Sequence, residues 1–241
     1  MSKPILTAAM VIRNEEEFIE ASIREILSWA DQIVILDDAS DDKTPEILED
    51  LKEKYKDKAP IHVHRPFDES IFFDAENELR EMLWCELLPK YDHDWVIAID
   101  TDETIDPYFR TVRDRMMAQD VVNCYSFQFW EFWGDTEHVR VDRMWNPGLK
   151  QMGIMVRWQP QINYQMSPHH VHGARIPLNV PEPIIPSGLY IKHYGWSIPE
   201  NEQRRKYKYY RERDPQPHPQ MQQHYESIVY GEKQLIRWYL D

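Results

Sequence analysis

WVIAIDTDETID, Trp95 to Asp106, is the stretch on which the fold turns. It begins as a hydrophobic run of the kind that forms a buried strand. It ends in four acids, Asp100, Asp102, Glu103 and Asp106. Like charges crowded at the end of a core strand repel one another unless a cation sits among them. Hard divalent ions take carboxylate oxygens and can neutralise adjoining phosphates. A lone D-x-D is also compatible with a simple charged turn, so the rest of the chain must decide.

Working back from this strand, apolar runs and helical spacing alternate. Ile5–Ile12 reads as a buried strand. Glu15–Ser28 carries Phe18, Ile19, Ile23, Ile26 and Leu27 at helical spacing. Gln32–Leu36 is a second strand, and it too runs into acids, Asp37 and Asp38. Thr44-Pro45 opens a helix to about Tyr55, with a residue able to cap and a proline in the first turn. Ile61–His64 is a short third strand, Phe73–Leu88 a helix, and Trp95–Ile99 the fourth strand. Short links between alternating strands and helices predict an α/β fold with a doubly wound, mostly parallel sheet and helices on both faces. Ligands of such sheets bind beyond the carboxyl ends of the strands. Both acidic clusters lie there, so they are expected to share one crevice.

Composition narrows the function. The chain has 241 residues and a net charge of −14, which argues against a general binder of nucleic acid or anionic membrane. Only seven glycines occur and the first is Gly134, so the first half has neither a G-x-G-x-x-G turn nor a Walker loop. If that half binds a diphosphate, a metal is the natural substitute for glycine-rich backbone. The run ILTAAMVI is too short to span a membrane, and Cys85 and Cys124 read as reduced core residues. A cytoplasmic protein without a transmembrane segment is expected.

VIRNEEEFI, IVILDDASDDKTPEI and DWVIAIDTDE, in this order and spacing, resemble the family 2 glycosyltransferases of the GT-A fold. The resemblance covers roughly residues 5–115. It implies one GT-A domain over 1–241, with a nucleotide-sugar-binding half (1–117) and a variable acceptor-side half (118–241). It implies that Arg13, Glu15 and Asp37 or Asp38 hold the nucleoside. It further implies that Asp100 touches ribose or metal and that Asp102 ligates Mn²⁺ or Mg²⁺. Ala39 stands where the family pattern usually has glycine, and Lys43 likewise, which implies a slightly different turn.

The second half offers aromatic strands, VVNCYSFQFWEFWGD and GLYIKHYGW, with HVRVDRMW as a further candidate strand. Residues 145–188 read as irregular. ENEQRRKYKYYRER reads as a basic helix and Gln222–Leu240 as a last helix. His193 closes a strand, where the family resemblance implies a metal ligand and the residue alone suggests a structural histidine. Three histidines, His169, His170 and His172, could form a zinc site, but no cysteine accompanies them. Related enzymes carry V-H-E near there, and Val171-His172-Gly173 keeps only the histidine. Transfer to a hydroxyl with inversion needs a base; Asp135, His172 and Glu131 are the candidates. Of Trp130, Trp133, Trp145, Trp158 and Trp196, at least three are expected in the core.

These features predict a metal-dependent transfer from a UDP- or GDP-sugar to an acceptor hydroxyl. A sugar-phosphate nucleotidyltransferase would want a glycine-rich loop after its first strand. A non-catalytic nucleotide-sugar or cation-binding module is the other alternative. The acceptor is open: glycan, lipid, protein, small molecule, or a hydroxylated DNA base. The last would give Arg204, Arg205, Lys206 and Lys208 phosphates to bind.

Overall fold

The computed structural model describes residues 3–71, 75–168, 174–214 and 217–239. Its first half follows the expected alternation: β1 (Leu6–Ile12), α1 (Ile19–Ile26), β2 (Gln32–Asp37), α2 (Thr44–Tyr55), β3 (Ile61–His64), α3 (Glu76–Glu81) and β4 (Trp95–Ala98). Helix α3 widens into a π-helical turn, Met82–Leu87, and ends in a 3₁₀ turn, Leu88–Lys90. Strands β3, β2, β1 and β4 lie side by side and parallel. Their side chains alternate between two cores. Leu6, Ala8 and Met10 face Ile19, Ile23 and Ile26 of α1 and Leu48 and Leu51 of α2. Ala9 and Val11 face Leu79, Leu83, Trp84 and Leu87. Helices therefore cover both faces, and the α/β reading holds.

The second half contains β5 (Glu103–Ile105), α4 (Phe109–Met117), β6 (Cys124–Trp133), β7 (His138–Arg140), β8 (Gln151–Arg157), β9 (Ile184–Trp196), α5 (Glu200–Arg213), α6 (Pro219–Val229) and β10 (Leu235–Arg237). Strand β8 runs antiparallel to both β4 and β6, so one mixed sheet continues from the first half into the second. Strand β9 pairs in parallel with β6 and antiparallel with β5.

Two expectations fail here. Residues 145–188 are not wholly irregular, because β8 is a central strand. Its consecutive buried residues Ile154, Met155 and Val156 face both cores, which removes the alternation that would have marked it. The last helix does not run from Gln222 to Leu240: α6 stops at Val229, Gly231 takes a positive φ of 84°, and β10 pairs with β7. Three of the five tryptophans, Trp133, Trp145 and Trp196, are core residues, packed with Tyr225, Ile228 and Val229 of α6. Cys85 and Cys124 are both free thiols. Among the described residues, no helix is long and apolar enough to cross a membrane.

The loops after β1 and β2 are tied together. Arg13 Nη1 donates to the carbonyls of Asp38 at 2.9 Å and Ala39 at 3.1 Å. Asn14 N donates to Ser40 Oγ at 2.9 Å, and Glu15 N to Thr44 Oγ1 at 2.7 Å. Asp42 accepts from Thr44 N at 2.8 Å and so caps the start of α2. The junction holds Ala39 at a φ of 52°, a left-handed conformation that costs an L-residue with a Cβ about 1–2 kcal/mol. Glycine escapes that cost but loses more chain entropy on folding. Ala39→Gly is therefore expected to raise stability by about 0.5–1 kcal/mol, read from the midpoint of urea unfolding. An unchanged or lower midpoint would mean that the turn relaxes without strain.

Candidate active site

The carboxyl end of β4 leads through Asp100-Thr101-Asp102 directly into β5. Strand β5 then pairs with β9 so that Glu103 lies opposite His193. Tyr194 N donates to the Asp102 carbonyl at 2.9 Å and continues the pairing by one residue. The result is that Asp102 Oδ2 and His193 Nε2 stand 3.4 Å apart. They open on a cleft of about 630 Å³ that is also lined by Arg13, Glu15, Arg80, Asp100, Arg175 and Lys206.

Asp100 and Asp102 differ in what surrounds them. Asp100 lies between two arginines, with Arg175 Nη2 at 2.9 Å from one carboxylate oxygen and Arg80 Nη2 at 3.3 Å from the other. Burial opposes its ionisation, but the two guanidinium groups outweigh burial and hold the carboxyl below its ordinary value. Both oxygens of Asp100 are thereby engaged, whereas Asp102 pairs with His193 through Oδ2. Burial opposes the charge on Asp102 as well; His193, Lys206 and Arg175 outweigh it and lower its pKa. Glycine at position 195 keeps the site open. A Cβ there would lie 2.7 Å from His193 Nε2 and 2.8 Å from Asp102 Oδ2.

A carboxylate and an imidazole are a suitable donor set for Mn²⁺. Two neighbouring ligands on an octahedral ion with bonds of about 2.1 Å are separated by roughly 3 Å, close to the separation seen here. Among the described residues no group of three or more His, Cys, Asp or Glu side chains could hold a metal ion. Among the described residues, Asp102 and His193 are the pair whose spacing suits one ion.

The other expected site residues divide. Arg13 and Glu15 line the cleft. Asp37 is fully buried, accepts from Ser40 N at 3.1 Å and lies 2.8 Å from Arg65 Nε, so it holds a turn. Asp38 is also fully buried; its carboxylate accepts from Ser70 Oγ and from Ile71 N at 3.1 Å. A nucleobase would have to displace that segment to reach it. Asp135 sits on the turn after β6, where it accepts from the backbone N–H groups of Glu137 and His138 at 2.8 Å, and it does not line the cleft. Glu131 lines the cleft but is fully buried, with one carboxylate oxygen on Lys150 and the other on His193. Neither geometry offers an acceptor hydroxyl a free base. His172, with its neighbours His169 and His170, lies outside the described residues.

Of the basic helix, only Lys206 among the four expected cations reaches the cleft, with Nζ donating to Gly195 O at 3.1 Å. Arg204, Arg205 and Lys208 pair instead with Glu200, Glu202 and Glu212 of the same helix. Arg80, Arg175 and Lys150 were not anticipated as site residues. Arg80 carried a signal, since it is a charged residue one turn before Trp84 on the buried face of a helical segment. Arg175 and Lys150 carried none.

Residues 7–70 match the family model described as glycosyl transferase family 2. The match lies within the first half of the chain, over the segment whose motifs carry the resemblance to that family. Solved structures are similar to the chain at low identity. S. aureus TarS 1–349 is 14% identical over 93% of this chain and 69% of that one, with a TM-score of 0.45. The mannosyltransferase PcManGT from Pyrobaculum calidifontis, in complex with GDP-Man and Mn²⁺, is 13% identical over 95% of this chain and 70% of that one, with a TM-score of 0.48. A longer TarS chain matches over 53% of this chain but only 22% of its own length. No site residue takes its role from these likenesses.

Glu15 gives the cleft a pH signature. Burial, with smaller contributions from Asp102 and Asp100, raises its pKa to about 7 against the pull of Thr101 and Lys206. A raised carboxyl favours the folded state while it is protonated. That contribution is complete below the ordinary value of 4.5 and is lost as pH rises through about 7. In metal-free, nucleotide-free protein, Glu15→Gln should gain about 1–2 kcal/mol over the native chain at pH 8.5 and nothing at pH 4. Urea unfolding at both pH values checks this; an equal difference at the two would remove Glu15 as the titrating group.

Proposed function

We propose that the protein transfers a sugar from a nucleotide-diphosphate donor to an acceptor hydroxyl, with a divalent cation and with inversion at the anomeric carbon. The observation that carries this reading is the Asp102–His193 pair, 3.4 Å apart in a cleft at the carboxyl edge of the sheet. In this proposal Asp102 and His193 hold Mn²⁺ or Mg²⁺, which when bound neutralises the charge that develops on the leaving diphosphate. Lys206, which also lines the cleft and acts on Asp102, adds a second positive group. Arg175 and Arg80 keep Asp100 ionised and in place. Arg13 and Glu15 contribute to the nucleoside side. The described half up to residue 117 takes the donor, and the half from 118 onward faces the acceptor.

The base is assigned from sequence. His172 remains the candidate, since Asp135 lies off the cleft and Glu131 is engaged on both oxygens. A glycan, lipid, protein or small molecule would serve as acceptor in this scheme. A hydroxylated DNA base is the other acceptor: Arg204, Arg205 and Lys208 are exposed, and their ion pairs within the helix are weak enough to yield to phosphates. A binding module without turnover has the same donor site and is distinguished by assay.

UDP and GDP, alone and as sugars, are expected to raise the melting temperature more with Mn²⁺ than with EDTA. Asp102→Ala should abolish the difference while leaving the unliganded melting temperature within a few degrees, because its side chain is partly exposed at a sheet edge. Stabilisation of equal size in EDTA would overturn the metal role. Hydrolysis of a nucleotide sugar by the native chain, lowered about 10²-fold or more in His172→Ala, is expected of a base. Absence of turnover with every sugar nucleotide tested would favour the binding module.

A further inference from the structure

Glu131 is a fully buried carboxylate on the aromatic strand β6, and its two oxygens have different partners. Oε1 pairs with Lys150 Nζ, and Oε2 pairs with His193 Nδ1. The backbone fixes this contact, because Glu131 and His193 are register partners in the parallel pairing of β6 with β9. The same imidazole turns its other nitrogen, Nε2, to Asp102. A neutral imidazole has one N–H donor and one lone pair, and the partner of one nitrogen decides the role of the other.

We infer that Glu131 is a positioning residue: by accepting from Nδ1–H it fixes the tautomer of His193 that presents the Nε2 lone pair to the cleft. Lys150 has a part in the same device. An ammonium group only donates, so it keeps Oε1 occupied as an acceptor and leaves Oε2 for the ring. This inference rests on the proposed role of His193 as a cation ligand only for its consequence, since the tautomer itself is a property of the metal-free protein. Histidine ligands are commonly oriented by a carboxylate in this way, and loss of such a partner typically weakens metal binding 10–100-fold.

The arrangement makes a sharp forecast for Glu131→Gln, which preserves shape. The glutamine carbonyl must stay on Lys150, so its NH₂ faces His193 Nδ1 and donates to it. Nδ1 then becomes the acceptor and the ring proton moves to Nε2. Adding Lys150→Met frees the amide to turn its carbonyl toward the ring, which restores Nδ1–H.

The test is long-range ¹H–¹⁵N spectroscopy of the metal-free full chain labelled at histidine, at a pH where the ring is neutral, with His193→Gln to assign the signal. The native chain is expected to show a protonated Nδ1 and a bare Nε2, Glu131→Gln the reverse, and the double variant the native pattern. A native His193 protonated at Nε2 overturns the inference without need of any variant, as does a Glu131→Gln spectrum that keeps the native tautomer. Mn²⁺ affinity, read from the free-ion electron paramagnetic resonance signal, should fall at least tenfold in Glu131→Gln and recover in the double variant. If His193→Ala leaves that affinity unmoved, the ligand role of His193 fails, and the spectra still judge the tautomer independently.

Discussion

The pairing of β5 with β9 is the contact on which the site depends. The D-x-D alone is a pair of acids after a strand. A histidine late in the chain is one of ten. Three residues of β5, running antiparallel to β9, place Glu103 opposite His193 and so set Asp102 beside the imidazole. Strand β6 approaches β9 from the other edge and brings Glu131 to the same ring. Asp102, His193 and Glu131 thus follow from backbone register, and their side chains need little freedom to meet.

Charge explains why so many ionisable groups can be buried together. Asp100, Asp102 and Glu131 are each matched by a cation or an imidazole, through Arg80, Arg175, Lys150, Lys206 and His193. For the most buried of these groups, Arg80 and Glu131, breaking the match would strand a charge in a poorly solvated place, which is costlier than the pair is stabilising. Glu15 is the exception, as a cleft carboxyl that burial drives toward neutrality. Its charge state is therefore the one most open to change when a cation or a diphosphate enters.

The legible part of the sequence was the part organised by local period. β1, β2, β3 and α2 were readable within a residue or so, because strand alternation and the Thr44-Pro45 start signal are local. The Asp100–Asp102 step was legible for the same reason. By contrast, β5 is three residues long and β8 faces two cores, so neither shows a period. The acids at 37–44 have partners that no local pattern announced. Asp37 and Asp42 engage the turn and the helix start, and Asp38 accepts from Ser70 and Ile71. Arg175 and Lys150 lay in stretches without pattern, and only the folded chain brings them to Asp100 and Glu131.

The central claim is that one carboxylate and one imidazole, joined by the β5–β9 register, bind the same divalent ion. Pulsed electron paramagnetic resonance of Mn²⁺ bound with a nucleoside diphosphate tests it directly, because a coordinated imidazole nitrogen couples to the metal and oxygen ligands do not give that signal. The native protein should show a ¹⁴N coupling that disappears in His193→Ala while the ³¹P coupling of the nucleotide remains. Bound Mn²⁺ with phosphorus coupling and no nitrogen coupling in the native chain would contradict the account.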